Sequence, residues 1–185
     1  MATALVLLAN GFEEIEALTA VDVLRRGGIE VVTASIHDST DVRGAHGVSV
    51  KADATLSAVA SAAYEAIVLP GGGEGTANLR SSEVVLELLR RQKAEERLLC
   101  AICAAPTVLV EAGVLDPNQH VTCYPSCQME LDRPWVNQPV VVHGDVITGQ
   151  APGTSLLFAL VVLKTLAGNA VASRVAREMV ADVAF

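Results

Sequence analysis

The sequence predicts an α/β fold in which a mostly parallel sheet carries helices on both faces. One observation behind this prediction is a series of short, uninterrupted apolar runs, typical of strands buried on both sides. Another is that these runs alternate with longer segments of helical character. The chain has 185 residues, 51% of them hydrophobic, which is enough to bury a substantial core. No linker, repeat or low-complexity segment interrupts it, so we expect one domain over residues 1–185.

The first half of the chain predicts three strands and one helix. Ala4–Ala9 is a continuous apolar run that predicts the first strand, and an Asn-Gly pair breaks it. Glu13–Arg26 predicts a helix that a pair of glycines ends. Ile29–Ser35, rich in Val and Ile, predicts the second strand, and the polar stretch His37–Gly47 predicts a loop or a hairpin. Ala66–Leu69 predicts a third buried strand.

The second half predicts further strands and helices around a sharp corner. Ser82–Glu96 has leucines at helical spacing with charged residues between them, which predicts a helix. Arg97–Ile102 predicts a strand that turns directly into a helix over Ala104–Ala112. Val140–Thr148, split by a Gly-Asp pair, predicts a hairpin. Two more helices are predicted, the strongly apolar Gly153–Leu166 and the weaker amphipathic Ala170–Val183.

Composition and charge argue against several classes of partner. The formal net charge is −8 and no basic stripe is visible, so we expect no stable nucleic-acid binding. The longest strongly apolar run, Leu156–Leu163, is far below the roughly 20 residues that cross a bilayer, so we expect no membrane insertion. The N-terminus lacks a basic signal-peptide region, which favours a cytoplasmic location. The four cysteines are then expected as thiols, and the lone C-x3-C spacing of Cys123 and Cys127 predicts no zinc or other metal.

The stretch Leu98–Leu109 predicts a reactive cysteine. Cys103 follows an apolar run and precedes a proline, which places it at the corner between a strand and a helix, flanked by Ala101 and Ala105. Unpaired N–H groups and the helix dipole at such a corner favour a thiolate. The alternative is a buried core cysteine, which is the interpretation we prefer for Cys100 inside the strand.

The glycine run Pro70–Gly75 has two interpretations. The spacing of its glycines does not match a dinucleotide-binding fingerprint, because Thr76 stands where the third glycine is needed. The backbone N–H groups of Gly72 and Ala104 are candidates for an oxyanion hole facing the thiol corner. The alternative is a tight turn without a chemical role.

Glu16 is a candidate partner of the thiol. Its neighbours one and two helical turns later are apolar, so its carboxyl lies on the packed face of the first helix. A buried carboxyl is costly unless it is protonated or hydrogen-bonded, and a protonated one would donate to a thiolate. The alternative is a solvated helix glutamate. The histidines are weaker candidates for a general base, because none follows the nucleophile in a known motif: His37, His46, His120 and His143.

Five stretches of the chain form a specific set: Asn10–Glu16, Val21–Arg26, Val68–Gly72, Ala101–Pro106 and Ala151–Thr154. In this order they span nearly the whole length. Together they resemble the ThiJ/PfpI superfamily, in particular the branch of the parkinsonism-associated deglycase (DJ-one) and its bacterial relatives. The resemblance implies a flavodoxin-like sandwich and a homodimer with active sites near the interface.

The resemblance also implies roles for individual residues. Cys103 would be the nucleophile, readily oxidised to a sulfinate, and Glu16 the protonated carboxyl beside it. Gly72 and Ala104 would supply backbone donors. Asp22 and Arg26, one helical turn apart, are expected to pair structurally.

The chain departs from the family pattern at two places. Where the human-like branch has a histidine in a Thr-His-Pro run, this sequence reads Thr122-Cys123-Tyr124-Pro125, so proton transfer would rely on Glu16, Tyr124 or water. His46 stands where that branch carries an arginine near the partner subunit. Cys123 is a candidate resolving thiol for an oxidised Cys103, and the sequence does not decide between it and Cys127.

These observations leave several functional hypotheses open. The leading one is a cofactor-independent glyoxalase or deglycase that uses Cys103 and Glu16 on reactive dicarbonyls such as methylglyoxal, or on their early glycation adducts. The alternative is a non-enzymatic redox sensor or chaperone that responds through oxidation of Cys103 to sulfinate. A peptidase or amidase is a weaker alternative, because related enzymes of that kind place a histidine where this chain has Ala104.

Overall fold

The computed structural model describes residues 2–183, so Met1, Ala184 and Phe185 of the predicted domain lie outside the described residues. Its strands are β1 (Thr3–Leu8), β2 (Glu30–Ser35), β3 (Asp41–Arg43), β4 (Ser49–Lys51), β5 (Ala54–Thr55), β6 (Ala66–Leu69), β7 (Leu98–Ile102), β8 (Val140–His143) and β9 (Val146–Gly149). Its α-helices are α1 (Glu14–Arg26), α2 (Leu56–Val59), α3 (Gly73–Ser81), α4 (Glu83–Ala94), α5 (Pro106–Glu111), α6 (Ser155–Ala167) and α7 (Asn169–Glu178). Two short 3₁₀ helices span Pro125–Glu130 and Pro152–Thr154.

A seven-stranded sheet forms the centre of the molecule, in the order β5-β2-β1-β6-β7-β9-β8. Every neighbouring pair is parallel except β8 and β9, which form the hairpin predicted for Val140–Thr148. Counted along the chain, the five strands β2-β1-β6-β7-β9 have the 2-1-3-4-5 order of flavodoxin-like sheets. The predicted fold class is confirmed.

Helices cover both faces of this sheet. Because side chains alternate along a strand, Val6 and Val68 pack toward α1, α6 and α7, whereas Leu5 and Ile67 pack toward α3, α4 and α5. All four side chains are at most 1% exposed. The uninterrupted apolar runs in the sequence follow from this burial on both faces. Among residues 2–183, no helix combines the length and apolarity needed to cross a membrane.

The polar stretch His37–Gly47 contains the first strand of a hairpin. In it β3 pairs antiparallel with β4, which begins just beyond the predicted stretch. The hairpin interpretation is therefore the correct one. The short elements β5 and α2 were not predicted, because two to four residues carry too little periodicity to be recognised.

Beside the predicted site, the structure has one helix that the sequence analysis did not predict, α3, and one that begins later than predicted, α5. The glycine run enters α3 at Gly73, directly after Gly72 makes the turn at a φ of 92°. The helix after the thiol corner begins at Pro106 instead of Ala104, because residues 103–105 form a turn and the proline suits the first helical position. At the far end of the chain, α7 stops at Glu178 and does not reach Val183.

Candidate active site

Three neighbouring strands deliver the candidate residues to one edge of the sheet. The strands β1, β6 and β7 lie side by side and run parallel, so their carboxyl ends meet at the same edge. The loop after β1 leads into Glu13 and Glu16, β6 leads into Gly71 and Gly72, and β7 leads into Cys103. This is the edge at which open α/β sheets place their binding sites.

Cys103 occupies a strained corner, as the sequence predicts. Its φ is 64°, a left-handed conformation that is uncommon for residues other than glycine. Two backbone hydrogen bonds hold it there: its N–H donates to the Gly149 carbonyl at 3.0 Å, and its carbonyl accepts from the Tyr124 N–H at 2.8 Å. The residue is only 9% exposed, less than a strand-to-helix corner suggests, but it lines a cavity of about 370 Å³.

The carboxyl of Glu16 is buried behind the thiol. The residue is 1% exposed, and its Oε2 accepts a hydrogen bond from the Gly71 N–H at 2.6 Å. Its Oε1 has no conventional partner, although the Cys103 thiol interacts with the carboxyl. Burial raises the pKa of Glu16 to about 7, the hydrogen bonds from Gly71 and Cys103 oppose the rise, and the charge of Glu13 adds to it. The solvated-glutamate interpretation is wrong.

The pKa of Cys103 moves in the direction opposite to the one predicted. Burial and the charge of the neighbouring Glu16 raise it, whereas the backbone N–H groups of Ala104 and Gly72 donate to the sulfur and lower it. The prediction of a thiolate relied on a helix beginning at Ala104, but α5 begins two residues later and has only six residues. The thiol and the carboxyl therefore act as one coupled acid pair.

Gly71 is a site residue that the sequence analysis did not single out. A Cβ at this position would lie 2.8 Å from Cys103 Cβ and 2.9 Å from Glu16 Oε2. Any side chain would therefore separate the thiol from the carboxyl. The three consecutive glycines after a buried strand were the available signal, but nothing in the sequence indicated which of them needed to be small.

Glu13 is a second residue that sequence reasoning did not assign to the site. It precedes α1, is 8% exposed, and lines the same cavity as Cys103. Acidic residues at a helix start complement the helix dipole, so the sequence alone gives Glu13 and Glu14 no need of a further role. Glu13 is the N-cap residue of α1, three residues before Glu16, and its charge acts on the Glu16 carboxyl, so this short spacing was the available signal.

The accessory residues Tyr124 and Cys123 separate in the structure. Tyr124 is 44% exposed and lies at the cavity, together with Ser126 and Cys127. Cys123 is fully buried in the core on the opposite face of the sheet from Cys103, and its thiol donates to the Tyr124 carbonyl at 3.2 Å. Of the two candidate resolving thiols, Cys123 does not line the cavity, whereas Cys127 shares it with Cys103.

His46 binds the helix start and does not line the cavity. Its Nδ1 lies 2.9 Å from a Glu14 oxygen and 3.5 Å from a Glu13 oxygen, and the other Glu14 oxygen accepts the His46 N–H at 2.7 Å. The hydrogen bond with Glu14 raises the pKa of His46. Within residues 2–183 these three side chains are the group whose ligand atoms lie close enough to hold a metal ion. Their hydrogen bonds already explain the arrangement, since Glu14 fastens the β3–β4 hairpin to α1.

Away from the cavity, the expected pairing of Asp22 and Arg26 is confirmed, with an Oδ2–Nε distance of 2.8 Å. The other histidines have structural contacts. His37 Nε2 accepts the Asn10 N–H, and the rings of His120 and His143 meet edge to face 5.2 Å apart.

Comparison with known proteins gives consistent matches over most of the chain. The model of the DJ-1/PfpI family matches residues 2–165. The Drosophila melanogaster protein dj-1beta is 40% identical over 178 residues, covering 95% of both chains. Its crystal structure superposes with a TM-score of 0.95 at 38% identity, over 98% of this chain and 99% of that one.

Two further relatives bear on chemistry. The Caenorhabditis elegans protein named glutathione-independent glyoxalase DJR-1.2 is 36% identical over 171 residues, covering 90% of this chain and 89% of that protein. The structure of oxidized Toxoplasma gondii DJ-1 superposes with a TM-score of 0.94 at 35% identity, over 99% of this chain and 100% of that one.

Proposed function

This chain belongs to the DJ-1/PfpI family, and on that premise we propose that it is a cofactor-independent thiol enzyme acting on small reactive carbonyl compounds. The substrates we propose are dicarbonyls such as methylglyoxal and their early glycation adducts. One observation carries the proposal: a buried carboxyl with a pKa of about 7 contacts the thiol that lines the cavity. The glyoxalase name of the nematode relative supports the same chemistry.

The pKa of Glu16 suits it to act as the general base. A base is most effective when its pKa lies near the working pH, and a carboxyl at about 7 meets this condition. As the sulfur of Cys103 attacks the aldehyde carbon, Glu16 takes the thiol proton, so no free thiolate has to accumulate. This removes the difficulty created by the raised pKa of Cys103.

The remaining steps need only proton transfers and water. The first adduct is a hemithioacetal whose oxygen receives the proton held by Glu16. Glu16 then moves the proton from the former aldehyde carbon to the neighbouring carbon by way of an enediol, while the hydroxyl proton passes to the former ketone oxygen, and the adduct becomes a thioester. Water hydrolyses the thioester, releases lactate and restores the Cys103 thiol. The N–H groups of Gly72 and Ala104 donate to the Cys103 sulfur, which supports the proposal that they also stabilise a developing oxyanion.

The enzyme is proposed to work as a single-domain cytoplasmic homodimer. Ile15 and Leu18 on α1 and Val48 beside the β3–β4 hairpin are at least 40% exposed. Exposed large apolar side chains next to a site are typical of an interaction surface, and a second copy of the chain is the proposed occupant.

Lactate production from methylglyoxal tests the function. We expect wild-type protein to turn over, Cys103→Ala to be inactive, and Glu16→Gln to lose about two to four orders of magnitude in kcat/KM. Cys100→Ala is the matched control, because Cys100 is a fully buried thiol outside the cavity, and this variant is expected to keep its turnover. Lactate formation by Cys103→Ala would refute the mechanism.

A second candidate function is redox sensing through Cys103, and the existence of an oxidized Toxoplasma gondii relative favours considering it. Substoichiometric peroxide and intact mass distinguish the two functions. Clean oxidation of Cys103 in a protein that makes no lactate would favour the sensor.

A further inference from the structure

Three cysteines converge around Tyr124, and two of them open to the same cavity. Cys103 and Cys127 both line the cavity of about 370 Å³, whereas Cys123 has no exposed surface. We propose that Cys127 is the resolving thiol of the site, which forms a disulfide with Cys103 when Cys103 is oxidised. This inference rests on the proposed reactivity of Cys103.

The backbone connects the two residues through a short path. The Tyr124 N–H donates to the Cys103 carbonyl at 2.8 Å, and the Cys127 N–H donates to the Tyr124 carbonyl at 2.8 Å. Cys127 is thus one 3₁₀ turn away from a residue hydrogen-bonded to the nucleophile. A disulfide needs the two Cα atoms about 4.4–6.8 Å apart, and the proposal requires the segment that carries Cys127 to move until its Cα atom lies within this range of Cys103.

The segment that carries Cys127 is suited to such a movement. The 3₁₀ helix Pro125–Glu130 contains no buried residue, and Cys127 itself is half-buried. Elements with few buried contacts open at low free-energy cost. Cys103, in contrast, is fixed by the strand β7 and by its hydrogen bonds to Gly149 and Tyr124, so Cys127 is the partner that moves.

The chemistry balances with hydrogen peroxide as the oxidant. The Cys103 sulfur attacks peroxide, a sulfur–oxygen bond forms as the oxygen–oxygen bond breaks, and Cys103 becomes a sulfenic acid with release of water. The Cys127 sulfur then attacks the Cys103 sulfur. The sulfur–sulfur bond forms, the sulfur–oxygen bond breaks, and the oxygen leaves as water with the proton of Cys127.

Effective concentration favours the disulfide over the sulfinate. A tethered thiol is present at an effective concentration on the order of millimolar, about a thousandfold above one equivalent of peroxide added to micromolar protein. Sulfinate formation needs a second peroxide molecule at Cys103, so it is slower than attack by the Cys127 thiol on the sulfenic acid. The disulfide stores the oxidation in a form that a dithiol reverses, whereas a sulfinate does not revert in this way.

The test combines peroxide, thiol alkylation and mass spectrometry. Reduced protein receives one equivalent of hydrogen peroxide and then N-ethylmaleimide without reductant. No lysine or arginine lies between Arg97 and Arg133, so trypsin alone leaves all four cysteines on one peptide. A glutamyl endopeptidase cuts after Glu111 and separates Cys103 from Cys127 unless a disulfide joins the two fragments.

We expect wild-type protein to lose two alkylatable thiols and to give joined fragments that dithiothreitol separates. In Cys127→Ser the fragments should stay apart and the Cys103 sulfinate should increase about tenfold. Cys123→Ser is the matched control and should still form the disulfide, because Cys123 has no exposed surface and does not line the cavity. Sulfinate in wild-type protein at the level of Cys127→Ser, or a Cys123–Cys127 disulfide beside a free Cys103, would overturn the inference.

Two further measurements separate this inference from the proposed function. If iodoacetamide does not modify Cys103 in reduced protein and no lactate forms, both fail together. If methylglyoxal is converted to lactate but peroxide gives only sulfinate, the resolving role of Cys127 fails alone.

Discussion

Replacing Glu16 with glutamine should make the protein more stable at neutral and alkaline pH. Burial raises the pKa of Glu16 from 4.5 to about 7, so the folded protein retains a proton that the unfolded chain releases. Its contribution to stability is fully present below pH 4.5 and is lost as the pH rises through about 7. The substituted glutamine has no charge to bury, and its amide oxygen can still accept the Gly71 N–H.

The magnitude follows from the change in pKa. A rise from 4.5 to about 7 corresponds to about 3 kcal/mol of unfolding free energy between the acid and alkaline limits. The difference in stability between Glu16→Gln and wild type should therefore grow by about 3 kcal/mol from pH 4 to pH 8. The other titrating groups are shared, and burial keeps the Cys103 thiol protonated in both proteins over this pH range, so the difference isolates Glu16.

Urea unfolding of both reduced proteins at equal concentration, across this pH range, measures the difference. A gap between the two proteins that stays constant with pH would refute the reasoning, because it would place the carboxyl of Glu16 in water with an ordinary pKa. A gap that widens toward acid pH would refute it as well, since that sign belongs to a carboxyl whose pKa is lowered on folding.

Two other substitutions test the geometry around the pair. Gly71→Ala should lower stability by about 1–3 kcal/mol and reduce turnover, because its Cβ would meet Cys103 and Glu16; urea unfolding and lactate assays measure both effects. Gly73→Ala is its control, since nothing lies within 4 Å of a Cβ there, and equal losses in both variants would contradict the packing argument. Glu13→Gln should lower the pKa of Glu16, because it removes a repelling charge, and should shift the rise of kcat/KM to lower pH; an unshifted pH profile would exclude this coupling.

The sequence was sufficient to predict the sheet and the corner cysteine, because both depend on local patterns. The apolar runs at β1, β6 and β7 are uninterrupted since both faces of these strands are covered. The positive φ of Cys103 follows from a strand that ends where a proline must begin a helix. Each of these features is determined by residues that lie close together in the sequence.

The parts that could not be predicted depend on contacts between distant segments. Gly71 must be small because the Glu16 carboxyl, which is carried by α1, lies next to it. The two residues are far apart in the sequence and come together only because β1 pairs with β6. The burial of Cys123 and the opening of Cys127 to the cavity depend on how the segment after α5 folds back over Cys103. Periodicity does not report which of two cysteines four residues apart faces a cavity.

The pKa of Cys103 is raised and not lowered for a related reason. When each group is considered without the other, a cysteine near a helix start is expected to have a lowered pKa and a buried glutamate is expected to have a raised pKa. In the folded protein each group changes the other: the charge of Glu16 raises the pKa of Cys103, so ionising both is disfavoured and the pair holds on to one proton near neutral pH. An attacking sulfur that hands its proton directly to Glu16 needs no stable thiolate. The apparent pKa values seen in kinetics and in thiol alkylation should therefore both change in Glu16→Gln, since they belong to the pair and not to either residue.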